Sequence, residues 1–217
     1  MSSSWRWRLY VIVDASAVEG RSLADVAQAA IQGGADVIQL RDTSASAKRL
    51  FEEAETLLNV TRPAKVPLII NDRADVAAAA GADGVHLGQD DLPVSAARAI
   101  LGRGKLIGRS THSVAQAIEA DGQAVDYLAV GPIYPTPTKP DYPSVGLELI
   151  AQVRARVTKP VVVIGGVDQA RMPDVLAAGA ECVAVVRAVC AASDPQSAAQ
   201  QLKQILKSTR VSVSPGL

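Results

Sequence analysis

Gln39 and Arg41 stand two residues apart at the end of a short apolar run, so in a strand their side chains share one face. Other apolar runs end in the same way. Residues 68–70 lead into Asn71-Asp72-Arg73, residues 84–87 into Gly88-Gln89-Asp90-Asp91, and residues 106–108 into Arg109-Ser110-Thr111-His112. After residues 127–130 come Thr136, Thr138 and Lys139; after 161–164 comes Gly165-Gly166; and the last run, 182–186, ends at Val186-Arg187. Asp72 and Asp91 follow successive runs, and two carboxylates that converge suit a hard cation. Magnesium takes one or two protein carboxylates, keeps several waters and fills its other positions with substrate phosphate oxygens. Either aspartate alone reads equally well as the cap of the helix that follows it. The pair, taken with Arg41 and Lys139, favours Mg2+ and a diphosphate.

Thr136-x-Thr138-Lys139 offers two hydroxyl donors and a compact positive charge, a set suited to oxyanions, although threonine between prolines is also ordinary turn chemistry. Gly165-Gly166 lets backbone N–H groups approach a phosphate before a helix expected to begin near Asp168. Residues 102–105 read Gly-Arg-Gly-Lys, but they lack the spacing of a phosphate-binding loop and precede a strand, so they read as a turn. His86, inside a strand, reads as a hydrogen-bonded core residue and His112 as a rim residue, while Cys182 reads as a small hydrophobe.

The elements that must position these groups repeat. Eight runs rich in Val, Ile and Leu, at 9–13, 37–40, 68–70, 84–87, 106–108, 127–130, 161–164 and 182–186, alternate with alanine-rich stretches of helical period. Runs apolar at nearly every position fit parallel strands buried on both faces. Eight βα units in about 200 residues close into a single (β/α)8 TIM barrel, an α/β fold; a doubly wound open sheet is the alternative. Gly34-Ala35-Asp36, Gly81-Ala82-Asp83 and Gly179-Ala180-Glu181 precede three of the strands, and their acids read as structural. Residues 131–146 hold five prolines and no helical period, which predicts a stiff, shaped loop.

A chain of 217 residues with 48% hydrophobic content fits one domain, with frayed tails expected at 1–8 and 208–217. Lys plus Arg number 22 and Asp plus Glu 22, so no net field favours nucleic acid or a membrane surface. Two cysteines without metal spacing, no apolar leader and no long apolar run fit a cytoplasmic, reducing compartment.

In order, Gln39-Leu40-Arg41, Ile70-Asn71-Asp72, His86-Leu87-Gly88-Gln89-Asp90-Asp91, Ser110-Thr111-His112, the stretch 131–139 and Ile164-Gly165-Gly166 resemble the motif series of thiamine phosphate synthases. The resemblance runs from about residue 9 to 189. It implies joining of a hydroxymethylpyrimidine diphosphate to a thiazole phosphate, through diphosphate departure and capture of a pyrimidine-methyl cation by the thiazole nitrogen. It also implies that Asp72 and Asp91 hold Mg2+ and that Gln39, Arg41, Asn71, Ser110 and Lys139 contact the pyrimidine diphosphate, with Arg41, Ser110 and Lys139 closest to the chemistry. Thr136, Thr138, Gly166 and the backbone at Val186 and Arg187 would contact the thiazole phosphate. The implied partners are small-molecule substrates, and a homo-oligomer is compatible with the sequence.

Two positions depart from the family pattern: Thr43 stands where a lysine is common in the diphosphate cradle, and Arg187 where a serine is common. Lys48 or Arg73 is expected to compensate for the missing lysine. Three other readings share the fold: a thiazole tautomerase with His112 as base, a silent binder of thiamine precursors, and a sugar phosphate isomerase. Asp72, Asp91 and Lys139 favour the synthase over the first, and no convincing acid and base pair supports the last.

Overall fold

The computed structural model of the chain describes residues 7–138 and 143–208. Its strands are β1 (Leu9–Asp14), β2 (Val37–Arg41), β3 (Leu68–Asn71), β4 (Gly84–Leu87), β5 (Leu106–Thr111), β6 (Tyr127–Val130), β7 (Val161–Ile164) and β8 (Cys182–Val185). They pair in parallel and in chain order, and β8 returns to β1 through Leu9 and Val183, so the sheet is a closed barrel. The helices are α1 (Leu23–Gln32), α2 (Ala47–Ala64), α3 (Ala74–Ala80), α4 (Val94–Leu101), α5 (Val114–Asp121), α6 (Glu148–Arg154), α7 (Met172–Ala177), α8 (Arg187–Cys190) and α9 (Pro195–Ser208). Alternation along each strand sorts its side chains. In β1, Val11 and Val13 face the helices, while Tyr10 and Ile12 join Val37, Ile69, Tyr127, Val162 and Cys182 inside the ring.

Three helices start on serine caps, where Ser22, Ser46 and Ser113 accept the backbone N–H of Asp25, Arg49 and Gln116. Each cap satisfies an otherwise orphaned donor and contributes about 1 kcal/mol. At the barrel floor the acids before the even strands are structural, as expected. Asp36 accepts the N–H of Leu9, and Asp83 that of Leu68. Asp126, which has no Gly-Ala in front of it, does the same for Ile107. Glu181 differs, pairing with Arg154 at 2.5 Å.

Four expectations need correction. β5 continues past Gly108 to Thr111, because Arg109, Ser110 and Thr111 pair with Leu128, Ala129 and Val130; polar side chains there interrupt the apolar signal but not the hydrogen-bond ladder. β8 stops at Val185, and Val186 becomes the cap of α8. The helix expected near Asp168 begins at Met172, since Asp168 instead closes the preceding turn through the N–H of Arg171. Trp7 and Arg8 are packed rather than frayed. Trp7 meets the rings of Tyr10 and Tyr127 edge-on at 5.9 and 5.6 Å, and the Arg8 N–H is bound by Asp36. Residues 1–6 and 209–217, also expected to fray, lie outside the described residues.

Candidate active site

Parallel strands deliver their last residues to one rim, and that rim opens on a cavity of about 330 Å³. β2 places Gln39 and Arg41 in its wall, β3 places Asn71, and β5 places Ser110. The extension of β5 is what turns Ser110 inward. On the far side Thr136 and Thr138 come from the loop after β6, Gly166 follows β7, and Val186 and Arg187 follow β8. Arg41, 14% exposed, is held at 2.5 Å by Asp14, the last residue of β1. Asp14 is 2% exposed and also accepts the N–H and hydroxyl of Ser16. It orients the one described guanidinium at this end of β2, yet nothing in the apolar run of β1 marked it beforehand except its position as the strand's first polar residue.

The two metal-ligand candidates occupy the rim beside this wall. Asp72 has φ 63°, its N–H donates to the carbonyl of His86 at 2.8 Å, and its Oδ2 takes the Asn71 amide at 2.6 Å. Asp91 Oδ2 takes the N–H of Gly88 at 2.6 Å. Neither caps a helix. The cap positions of α3 and α4 are Arg73 and Pro93, without side-chain cap bonds. A left-handed aspartate costs about 1 kcal/mol or more and is kept where surrounding bonds over-determine it. Two half-buried carboxylates in the loops after neighbouring strands, with no histidine or cysteine among the donors, fit a hard ion that draws its remaining ligands from water and phosphate. Among the described residues no cluster of three such side chains forms a closed cage.

The loop after β6 is shaped by its seat. The N–H groups of Ile133 and Tyr134 donate to the carbonyls of Ile164 and Gly165, and Val145 N–H donates to Pro132. Gly165 and Gly166 sit at φ 107° and 63°, and a Cβ would meet Pro132 Cα at 2.3 Å or the Pro135 carbonyl at 2.7 Å. Only glycine allows both that backbone and that approach. Arg171 spans the junction, donating to the Gly166 carbonyl and lying 4.8 Å over the Tyr134 ring.

Other expected groups take different places. Thr43 is exposed, in the middle of a turn closed by Asp42, and is outside the cavity wall. Neither proposed substitute for its missing charge reaches the wall: Lys48 is exposed on α2 beside Glu52, and Arg73 is committed to Asp75 at 2.5 Å. Arg109 and Gln89 brace the loop after β4, Arg109 donating to Gly88 carbonyl and Gln89 to Ser110 carbonyl. His112 lines the cavity, with Nδ1 against the Gly131 carbonyl at 2.5 Å, and so anchors the start of the proline-rich loop. His86 is buried and hydrogen-bonded, as expected, but also lines the cavity floor. Cys182 packs inside the ring, and burial pushes its thiol above the usual range; the Cys190 thiol is pushed up to about 11 by burial. Lys139 lies outside the described residues.

A family model described as thiamine monophosphate synthase matches residues 9–189. A thiamine-phosphate synthase of Chloroflexus aurantiacus is 50% identical over 205 residues, covering 94% of each chain. One from Mycolicibacterium smegmatis is 50% identical over 208 residues, covering 91% of each. Among solved structures, a thiamine phosphate pyrophosphorylase from Pyrococcus furiosus superimposes with TM-score 0.86 at 34% identity, over 94% of this chain and 96% of that one. A 3-hexulose-6-phosphate synthase with TM-score 0.67 and 23% identity shares the fold.

Proposed function

Because the chain belongs to the thiamine monophosphate synthase family and is a transferase that makes thiamine phosphate, we propose the route and the residues that carry it. The C–O bond between the pyrimidine methylene and the diphosphate breaks, and the diphosphate leaves with the electron pair. The thiazole nitrogen then gives its lone pair to the methylene carbon, and the new C–N bond leaves the thiazolium charge on the product. The observation that carries this reading is the single cavity whose wall joins Gln39, Arg41, Asn71 and Ser110 to Thr136 and Gly166, beside Asp72 and Asp91, which follow the neighbouring strands β3 and β4.

Such a reaction needs charge stabilisation and orientation more than a base. Arg41, fixed by Asp14, presents its guanidinium to the diphosphate, and Lys139 adds a second cation from the proline-rich loop. Asn71 and Ser110 hold polar atoms of the pyrimidine diphosphate, and Gln39 holds the ring. Asp72 and Asp91 would hold Mg2+, which when bound neutralises negative charge that accumulates on the leaving group. Thr136, Thr138, the Gly166 backbone and the backbone at Val186 and Arg187 hold the thiazole phosphate, with the Arg187 side chain adding a charge near it. Thr43, exposed and outside the cavity wall, adds no charge to the diphosphate cradle. The buried, unpaired thiols of Cys182 and Cys190 suit a cytoplasmic, reducing setting.

Diphosphate release measured with each substrate alone, with both, and with both plus chelator tests the reading. Release is expected only with both substrates and a divalent ion. Proton exchange on a thiazole carboxylate phosphate in the absence of metal would replace it with the tautomerase reading.

A further inference from the structure

A chain of polar side chains crosses the interior of the barrel at the base of the cavity. Gln39 Nε2 donates to the Tyr10 hydroxyl at 2.7 Å, and the Tyr10 and Tyr127 hydroxyls lie 3.0 Å apart. Tyr127 Oη is 3.2 Å from His86 Nδ1, and His86 Nε2 is 2.9 Å from Ser110 Oγ. All five side chains line the cavity, with Gln39 and Ser110 at the two ends of the chain. Its middle is among the most deeply buried parts of the molecule, with Tyr127 at 0% and Tyr10 at 2% exposure. Phenylalanine at either position would fill the same space with no polar atom to satisfy. The backbone also makes room for the link: a Cβ on Gly108 would meet His86 Nδ1 and Tyr127 Oη, each at 2.4 Å.

The donor and acceptor inventory gives this chain a direction. An amide nitrogen only donates, so Tyr10 accepts from Gln39, and the acceptor within reach of its own proton is the Tyr127 hydroxyl. Tyr127 then passes its own proton toward His86 Nδ1. Burial holds both phenols above the usual tyrosine range, so both keep their protons to donate. A histidine that accepts at Nδ1 carries its proton at Nε2, which donates to Ser110 Oγ. With that lone pair taken, the Ser110 proton turns away from His86 and into the cavity.

We propose that Tyr10, Tyr127 and His86 are positioning residues: a one-way hydrogen-bond relay from Gln39 that fixes the His86 tautomer and makes the Ser110 hydroxyl a donor to the substrate. This rests on the synthase reading for the identity of the substrate, but not for the relay itself. The acceptor is an electron-rich atom of the pyrimidine diphosphate. The relay also holds the Gln39 amide with its nitrogen toward Tyr10, so the oxygen is the atom offered to a ligand.

The two histidines of the chain, His86 and His112, make the test direct. Two-bond 1H–15N correlation spectra of the 15N-histidine-labelled protein, without substrate at neutral pH, distinguish the tautomers; a His112→Asn sample assigns the signals. His86 is expected as Nε2–H. His112, whose Nδ1 faces a carbonyl, is expected as Nδ1–H. His86 as Nδ1–H, or as an even mixture of tautomers, overturns the relay. In Tyr127→Phe the His86 pattern is expected to shift toward a mixture, and kcat/KM to fall about tenfold, on the order of one hydrogen bond. Tyr10→Phe serves as the second variant, with the same change in tautomer expected. Unchanged tautomer in a folded variant of either kind overturns the proposal. Expected tautomers in a protein that fails to join the two substrates would uphold the relay and overturn the synthase reading.

Discussion

The two ends of the barrel use the same residue for opposite ends. At the floor, Asp36 and Asp83 accept the N–H that begins a neighbouring strand and Asp126 the N–H of the second residue of β5, and Asp36 and Asp126 add Lys203 and Arg98. Each carboxylate is spent on the chain itself. At the rim, Asp14 aims Arg41 into the cavity, while Asp72 Oδ2 takes the Asn71 amide and Asp91 Oδ2 takes the Gly88 N–H. An acid at the floor fastens the start of a strand, whereas an acid at the rim binds groups at the strand ends beside the cavity, Arg41, Asn71 and Gly88. The side of the strand, rather than the amino acid, decides which.

The largest effect that would sharpen this contrast is at the metal-ligand candidates. Asp72→Ala and Asp91→Ala are each expected to lower kcat by about a thousandfold, the scale of losing a preorganised electrostatic group, with melting temperature shifted by only a few degrees. Steady-state rates over a magnesium titration, with parallel thermal melts, check both halves; parental turnover in either variant removes the metal from the mechanism. Asp14 is the position that can blur the comparison, because it is a rim acid more deeply buried than Asp36, Asp83 or Asp126 at the floor. Asp14→Asn is expected to raise KM for the diphosphate substrate about tenfold and to cost about 2 kcal/mol, since Arg41 loses a charged partner. A change in stability alone would move Asp14 to the structural group.

The floor should respond in the opposite sense. Asp83→Ala leaves the buried Leu68 N–H unpaired and is expected to destabilise by about 2 kcal/mol in urea unfolding. Its kcat, measured on the folded fraction, should remain within about twofold of the parent. The smallest effect belongs to Thr43→Lys. A lysine in that exposed turn is expected to tighten binding of the diphosphate substrate by no more than about threefold, because an exposed charge is screened. Calorimetry at low and high salt measures this, and unaltered affinity at low salt would remove Thr43 from the electrostatic account.

The barrel was legible in the sequence because both-faces-buried strands leave unbroken apolar runs, and seven of the eight ends fell within a residue of the observed ones. β5 was misjudged because Arg109 and Ser110 look like loop residues when only hydropathy is read, whereas strand pairing depends on backbone groups. The polar ends of the strands pointed to the cavity wall, since topology alone brings them together. Pairings across the ring were not legible. Nothing in the spacing of Asp14 and Arg41, or of Tyr10, His86 and Tyr127, announces that they touch, because strand stagger and side-chain reach set those contacts. The same holds for Thr43, whose neighbour Asp42 turns the loop outward.

Asp36 receives the N–H groups of Arg8 and Leu9 together with the ammonium of Lys203, so the opening strand and the final helix are fastened at one carboxylate. α9 also lies so close to α1 that a methyl group on Gly33 would meet the Gln196 carbonyl at 2.5 Å. During synthesis β1 and Asp36 therefore emerge well before Lys203, which lies 167 residues further along than Asp36. Until α9 has left the exit tunnel, Asp36 lacks its cation, and the contact that joins β1, Asp36 and α9 closes only then.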